Sequence, residues 1–157
     1  MRMVVSVVLG AAFVVLAIAS APQVAPARER GNVATTEVER LAKRGSSYYQ
    51  TYLGYMYETG RGVPQDYRLA VQWYYLAAEQ GNILAQHLLG MLYDKGQGVT
   101  LDHVEAHKWL NLAASKATST DRDYFTRIRN AVASKLTRDQ IYEAQRRARE
   151  WQARRAR

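Results

Sequence analysis

A 36-residue pattern occurs twice between Leu53 and Ala114, and it is the strongest indication of the fold in this sequence. The first copy contains Leu53-Gly54, Tyr57, Gly60-Arg61-Gly62-Val63, Asp66, Ala70, Trp73 and Ala77-Ala78. The second copy contains Leu89-Gly90, Tyr93, Gly96-Gln97-Gly98-Val99, Asp102, Ala106, Trp109 and Ala113-Ala114. Every residue of the second copy lies 36 positions after its counterpart, without an insertion. A fixed period in this range is typical of stacked helical repeats.

Each copy predicts two helices joined by a glycine-rich turn. The first helix is expected over about 47–58 and again over about 83–95. A Gly-x-Gly sequence follows each one, and glycine suits the left-handed residue that ends a helix. The second helix is expected to begin at Asp66 or Asp102, because Asp is a good N-cap residue. Gly81 then fits the C-terminal end of the second helix in the first copy.

Small residues and tryptophans at equivalent positions indicate how the helices pack. Gly54 and Gly90 would let two helix backbones approach closely. Trp73 and Trp109 would fill the space between neighbouring units. Because burial of an indole is worth a few kcal/mol, both tryptophans are expected to dominate the core.

The combined order of these residues resembles the Sel1-like repeat, a relative of the tetratricopeptide repeat. The stretch 85–90 (Ala-Gln-His-Leu-Leu-Gly) matches the start of that repeat, whereas the first copy has Tyr49 where the second has Ala85. The resemblance covers about residues 45–117. It implies an all-α fold, an α-solenoid of helix-turn-helix repeats. Such repeats generally bind proteins and are not catalytic.

The N-terminal residues 1–27 are typical of a secretory signal. A positively charged start precedes an apolar run, and small-x-small sequences follow at 17–19 and 25–27. The run approaches the ~20 residues that span a bilayer, so an uncleaved anchor in the inner membrane over residues 3–22 is the alternative. Both interpretations predict an exported bacterial protein, periplasmic or secreted. The chain has no cysteine, which excludes thiol catalysis, thiolate metal sites and disulfides.

Three segments are expected after residue 27. Residues 28–45 form a linker over 28–35 and then a degenerate second helix over 36–44, since Gly45 lies 36 positions before Gly81. Residues 46–117 hold the two repeats. Residues 118–157 form a C-terminal helical cap with a basic tail.

The cap is predicted to contain two helices. The first begins near Ser119 to Asp121. The second begins with the capping box Thr137-x-x-Gln140. Its apolar stripe consists of Ile141, Ala144, Ala148 and Trp151. Such an amphipathic helix would close the exposed end of the solenoid, as terminal repeats require.

Positive charge is concentrated in the C-terminal part of the chain. Residues 116–157 hold 12 Lys/Arg against 5 Asp/Glu, whereas residues 46–115 hold 4 against 6. The predicted polyanion-binding residues are Arg146, Arg147, Arg149, Arg154 and Arg155. Such a cluster favours an anionic membrane, a wall polymer or an acidic protein. Nucleic acid is not expected as a partner of an exported protein.

One face of the first helices is the predicted partner-binding site. Its residues are Tyr48, Tyr52 and Tyr55 in the first copy and their equivalents Leu84, Leu88 and Met91 in the second. We call these six residues the first-helix stripe. In solenoids of helix pairs the first helices line the concave surface, where Tyr offers much contact area at a low entropy cost. The alternative is that the stripe packs against neighbouring helices or the cap.

Two further pairs of residues invite a chemical interpretation. His103 and His107 are four apart, but the order His-Val-Glu-Ala-His lacks the glutamate base of a metalloprotease, and we expect no metal site. Glu58 and Asp94 are paired carboxylates, but they occupy equivalent repeat positions without a nucleophile and base beside them. We therefore expect no enzymatic activity and no cofactor.

The sequence thus predicts a non-catalytic protein–protein interaction module of the bacterial cell envelope. The alternative is a basic-tail tether to an anionic membrane or cell-wall polymer. A cell-wall hydrolase that uses Glu58 or Asp94 is a third hypothesis. The protein partner is not specified, and self-association is a further option because two units are few for a solenoid.

Overall fold

A computed structural model describes residues 27–156, with side chains from Ala34 onward. These residues form seven helices and no strand, which confirms the predicted all-α fold. The helices are α1 (Ala27–Lys43), α2 (Ser47–Thr59), α3 (Tyr67–Glu79), α4 (Ile83–Lys95), α5 (His103–Lys116), α6 (Ser119–Ala133) and α7 (Arg138–Arg155). Within the described range, none of the helices combines the length and the apolar character that a bilayer crossing requires. The predicted signal segment lies outside the described residues, apart from Ala27.

The helices stack as antiparallel pairs in chain order. Helices α2 and α3 pack together as the first pair, and α4 and α5 as the second. Helix α3 also packs on α4, and this contact joins the two pairs. Helix α5 continues the stack by packing on both α6 and α7.

The predicted helix ends are confirmed at equivalent positions of both copies. Gly60 and Gly96 end α2 and α4 in the left-handed conformation. The carboxylates of Asp66 and Asp102 each accept hydrogen bonds from two backbone N–H groups at the start of α3 and α5. These local signals fix where each helix begins and ends.

Close approach of the helices within each pair is also confirmed. A Cβ atom added to Gly54 would lie 2.6 Å from the Tyr74 ring, and one added to Gly90 would lie 2.7 Å from Cγ of Leu110. Tyr74 and Leu110 are themselves equivalent repeat positions. The same two helix faces therefore meet in both units, and the glycine makes room for the larger side chain.

The two tryptophans occupy equivalent environments but are not equally buried. Trp73 packs against the buried side chains of Leu53 and Met56, and Trp109 packs against their equivalents Leu89 and Leu92. Trp109 is fully buried, whereas Trp73 is only half-buried. The prediction that both dominate the core is therefore wrong for Trp73.

The extra cover of Trp109 comes from two aromatic rings. Tyr75 and Trp151 meet it edge to face, with ring centroids 6.0 and 6.1 Å away. Tyr75 lies on α3, and Trp151 lies on α7. The C-terminal helix thus completes the core of the second unit.

The predicted linker over 28–35 is wrong, because α1 already begins at Ala27. The segment lacks an apolar period, which is why it does not read as a helix. It also contains no proline, and its alanine and charged residues are good helix formers. Gly31 opposes the helix most, at a cost of about 1 kcal/mol.

Helix α6 follows the repeat although its sequence does not. Helices α2, α4 and α6 begin at Ser47, Ile83 and Ser119, so their first residues are spaced by 36. Helix α6 packs on α5 in the way that α4 packs on α3. It therefore takes the place of the first helix of a third unit.

Helix α7 departs from the repeat, because it packs on α5. The capping box of Thr137 and Gln140 is formed as predicted. Three members of its apolar stripe, Ala144, Ala148 and Trp151, are buried. The amphipathic pattern is thus confirmed for these three residues, and Ile141 is half-buried.

Candidate functional site

The first-helix stripe divides into exposed and covered residues. Tyr48, Tyr52 and Leu84 have 68%, 46% and 52% of their surface exposed. Tyr55 and Leu88 are half-buried and pack against the main core cluster. Met91 is also half-buried. Both sequence interpretations of the stripe therefore have support, each for different residues.

Local contacts hold two of the stripe tyrosines of α2, Tyr48 and Tyr55, in place. The Tyr48 ring meets Tyr49 edge to face, with the centroids 5.2 Å apart. The guanidinium of Arg61 lies 5.5 Å from the centroid of the Tyr55 ring. Rings held in this way lose little conformational entropy when a partner binds.

The stripe has a third row on α6 that the sequence analysis missed. Tyr52, Leu88 and Tyr124 are spaced by 36 residues, and the side chain of Tyr124 is 49% exposed. The register of α6 was the available signal, because residue 124 follows directly from adding 36 to 88. The exposed apolar surface thus extends over three successive first helices.

An open cleft of about 570 Å³ lies between α4 and the start of α6. We call it the α4–α6 cleft. Its lining residues are Ile83, Leu84, His87, Leu88, Ala117, Thr118, Asp121, Tyr124 and Phe125. Leu84 and Leu88 belong to the first-helix stripe as well, so the cleft is continuous with that stripe.

His87 lies at the aromatic side of this cleft and is 5% exposed. Its ring centroid is 4.8 Å from that of Phe125 and 5.5 Å from that of Tyr124. Its Nδ1 atom is buried without a hydrogen-bond partner. Burial lowers the pKa of His87, so the imidazole is neutral at pH 7.

The paired carboxylates that could serve a hydrolase are both held by other side chains. The hydroxyl of Tyr74 donates a hydrogen bond of 2.6 Å to Glu58. Burial and this bond raise the pKa of Tyr74 above its usual value. Asp94 lies 2.7 Å from Nζ of Lys135 and 3.0 Å from Nδ1 of His103. These contacts join neighbouring helices and support a structural role for both carboxylates.

The two histidines of α5, His103 and His107, lie in different surroundings. His103 is half-buried beside Asp94, whereas His107 is 2% exposed and its Nδ1 has no partner. Burial, and secondarily the charge of Arg129, lower the pKa of His107. Among the described residues, no group of three His, Cys, Asp or Glu side chains is arranged to hold a metal ion.

Three of the five predicted polyanion-binding arginines make hydrogen bonds or ion pairs within the chain. Arg146 pairs with Glu143 and Glu150 on α7. Arg147 bridges to Glu105 on α5 at 2.8 Å. Arg155 donates to the backbone carbonyls at the end of α3 and lies 5.1 Å from the centroid of the Trp151 ring.

The two remaining arginines, Arg149 and Arg154, are exposed on α7. The guanidinium of Arg149 lies 5.8 Å from the centroid of the Tyr142 ring. Contacts within the chain thus engage part of the basic end of α7. Arg149 and Arg154 present most of the positive charge that remains available to a partner.

Comparisons with known proteins agree with this geometry. Residues 47–82 and 83–117 each match the model of the Sel1 repeat. None of the curated proteins compared with the chain matches it.

Two solved structures are similar in fold. One is a protective antigen present in uropathogenic Escherichia coli strains that displays an SLR fold. It is 32% identical over 82% of this chain, with a TM-score of 0.72, and the match spans only 27% of its own length. The other is a Sel1 repeat protein from Oxalobacter formigenes, 37% identical over 57% of this chain and 67% of its own, with a TM-score of 0.53.

The repeats, the helix pairs and these similarities lead to one assignment. The chain belongs to the Sel1 repeat family.

Proposed function

We propose that the chain is a non-catalytic protein-interaction module of the bacterial cell envelope, which holds a segment of a protein partner across the first-helix stripe. The single observation that carries this proposal is the exposure of Tyr48, Tyr52 and Leu84 on two successive first helices. Sel1 repeats typically serve as scaffolds for protein–protein interaction, which supports the same assignment.

The energetics favour a binding role for these side chains. Large apolar side chains grouped on one exposed face have a cost in water that contact with a partner would relieve. Tyrosine is enriched at interfaces because it combines a large contact area with a polar hydroxyl. A few such residues supply most of the binding energy in a typical interface.

The location in the envelope is supported by two observations. The apolar N-terminal segment has the composition of a secretory signal or anchor. The similar Escherichia coli protein is described as a protective antigen, which fits a location outside the cytoplasm for that protein. We extend this location to the present chain.

Capture of a partner tests the proposal. The tagged full-length chain is produced in its native bacterium, crosslinked in intact cells and purified. We expect the double variant Tyr48→Ala/Tyr52→Ala to capture the partner at least about tenfold less, since loss of contacts at a hot spot costs more than 1 kcal/mol per residue.

Tyr142→Ala is the matched control, because Tyr142 is 63% exposed on α7, outside the stripe. This variant should capture the partner as the parent chain does. Equal capture by the double variant and the control would contradict the assignment of the stripe.

The alternative is a tether in which exposed arginines of α7 bind an anionic membrane or wall polymer. Arg149 and Arg154 carry this alternative, since they lack the ion pairs of Arg146 and Arg147. Binding to vesicles with anionic lipid should then weaken steeply with salt and fall in Arg149→Gln/Arg154→Gln. Binding that depends neither on the salt concentration nor on these two arginines would exclude the tether.

A further inference from the structure

The α4–α6 cleft combines apolar walls with one carboxylate that makes no ion pair within the described residues. The walls come from the aliphatic side chains of α4 and from the aromatic rings of Tyr124 and Phe125 on α6. Its volume of about 570 Å³ falls within the ~300–1,000 Å³ of typical ligand sites. An apolar group from a partner would therefore find both space and contact area there.

The imidazole of His87 forms part of the cleft wall and is only 5% exposed. Its Nδ1 atom is enclosed by the fold and does not face the cleft. The residue therefore contributes the surface of its ring, which lies beside the rings of Tyr124 and Phe125.

The charged group of the cleft is the carboxylate of Asp121. Asp121 is the one charged residue among those lining the cleft, and no ion pair within residues 34–156 involves it. Its carboxylate accepts a hydrogen bond of 3.3 Å from the hydroxyl of Thr118. The neighbouring Arg122 donates to the carbonyl of Ala117. No lysine or arginine is among the residues that line the cleft, so the lining beside Asp121 is complementary to a positive charge.

We propose that the α4–α6 cleft is an anchor site for a peptide segment in which a large apolar residue stands beside a lysine or arginine. The apolar side chain occupies the cleft between Leu84 and Tyr124, and the adjacent cation pairs with Asp121. The ring of His87 adds to the aromatic wall that the apolar side chain contacts. This inference rests on the proposed function and deepens it, because it specifies the chemistry of the partner at one end of the first-helix stripe.

Short peptides of defined sequence test the inference. The probe is an acetylated and amidated peptide, Gly-Ser-Phe-Lys-Ser-Gly, titrated into the isotope-labelled full chain at up to millimolar concentration. Two matched peptides replace Lys by Glu or Phe by Ala. Amide chemical shifts report both the affinity and the place of binding.

We expect the Phe-Lys peptide to shift the amides of the cleft, including those of Leu84, His87 and Tyr124. The Phe-Ala replacement should weaken binding at least about tenfold, because it removes most of the buried apolar surface. Replacement of Lys by Glu should weaken binding of the peptide more than removal of the ion pair alone, because the new carboxylate is also repelled by Asp121. Asp121→Asn should weaken binding of the Phe-Lys peptide about two- to fivefold.

Asp123→Asn is the matched control variant, because Asp123 is exposed on the same helix but does not line the cleft. It should leave the affinity unchanged. Shifts that avoid the cleft, or equal affinities of Asp121→Asn and the parent chain, would overturn the inference.

The result is separable from that of the proposed function. Tyr48 and Tyr52 do not line the cleft, so their double variant tests the stripe alone. Suppose that capture of the partner depends on these tyrosines but the Phe-Lys peptide does not bind. The proposed function would then be supported, and the anchor site would be refuted.

Discussion

Gln50 and Gln86, 36 residues apart, make the same buried hydrogen bond in the two units. Each side-chain amide donates to the carbonyl of an alanine eight residues earlier, Ala42 at 3.1 Å and Ala78 at 3.2 Å. Both bonds tie a first helix to the end of the preceding helix. Since each glutamine is at most 5% exposed, water cannot replace the bond.

Replacement of Gln86 by methionine should therefore destabilise the fold. The change keeps the length of the side chain but leaves the carbonyl of Ala78 buried without this donor. Because the carbonyl still accepts from the backbone N–H of Gly81, we expect the free energy of unfolding to fall by the net worth of one hydrogen bond, about 1 kcal/mol, measured by urea denaturation. Gln72→Met on the exposed face of α3 is the control and should stay within about 0.5 kcal/mol of the parent. An effect of Gln86→Met as small as that of the control would refute this role.

A pair of equivalent glycines offers a second test. Gly62 and Gly98 have similar positive φ angles of 76° and 72°, so the strain of a left-handed alanine is the same at both. A Cβ atom at Gly98 would lie 2.3 Å from the carbonyl oxygen of Tyr67, which is backbone. At Gly62 the nearest atoms are the ends of the Thr35 and Met56 side chains, beyond 3 Å.

Gly98→Ala should therefore cost more than Gly62→Ala by about 1–3 kcal/mol, the typical penalty of overpacking. The excess measures the contact between the turn of the second unit and the start of α3. Thermal unfolding of the two variants side by side gives the difference. Equal losses would mean that the backbone at Tyr67 moves aside without cost.

Acid should weaken the attachment of α6. His87 and His107 are both buried where α6 packs on α4 and α5, and burial lowers the pKa of each. Asp121 and Tyr124 of α6 line the cleft beside His87, and the charge of Arg129 acts on His107. The unfolded chain binds protons at these residues near pH 6.5, before the folded chain does.

The free energy of unfolding should consequently be constant from pH 8 to pH 7 and decrease as the pH falls through 6.5 towards the folded pKa values. Urea denaturation at several pH values between 5.5 and 8 measures this slope. In His87→Gln/His107→Gln the slope should be smaller, with the difference read relative to the stability of the same variant at pH 8. An unchanged slope in this double variant would assign the acid sensitivity to other groups.

Trp151 should control whether α7 stays attached. Its Nε1 donates to Glu79 at 2.9 Å, and its ring packs against Trp109. Trp151→Ala should cost about 3–5 kcal/mol and expose the segment after Leu136 to proteases. Limited trypsin digestion followed by mass spectrometry detects the cuts. Tyr142→Ala, on the exposed face of α7, should digest like the parent, and a resistant Trp151→Ala chain would contradict the prediction.

Features with a local cause could be predicted from the sequence. The left-handed end at Gly60, the N-cap at Asp66 and the capping box at Thr137 each depend on residues within one turn of the helix. The repeat made these assignments firmer, because the same helix-ending and N-cap residues recur after 36 positions. Two copies were enough to assign the helices and their pairing.

Features that depend on distant neighbours could not be predicted. Whether Tyr55 and Leu88 face a partner or the core depends on the helices beside them. The ion pair between Arg147 and Glu105 joins residues 42 positions apart, so a count of charges overestimated the basic cluster. Helix α6 kept the spacing of the repeat but not its residues; for instance, Thr126 stands where the second unit has Gly90.

The reach of α7 across α5 to α3 limits how this protein can be lengthened. Trp151 touches Trp109 in one unit and Glu79 in the unit before it, and Tyr75 completes the cover. At the places equivalent to Glu79 and Tyr75, the second unit has Ser115 and Asn111. A duplicate of residues 47–82 inserted ahead of Ile83 would preserve these contacts of Trp151. A duplicate of residues 83–118 inserted before Ser119 would remove the contact with Glu79 and the cover by Tyr75. Growth by tandem duplication is therefore permitted at one junction of the array and penalised at the other.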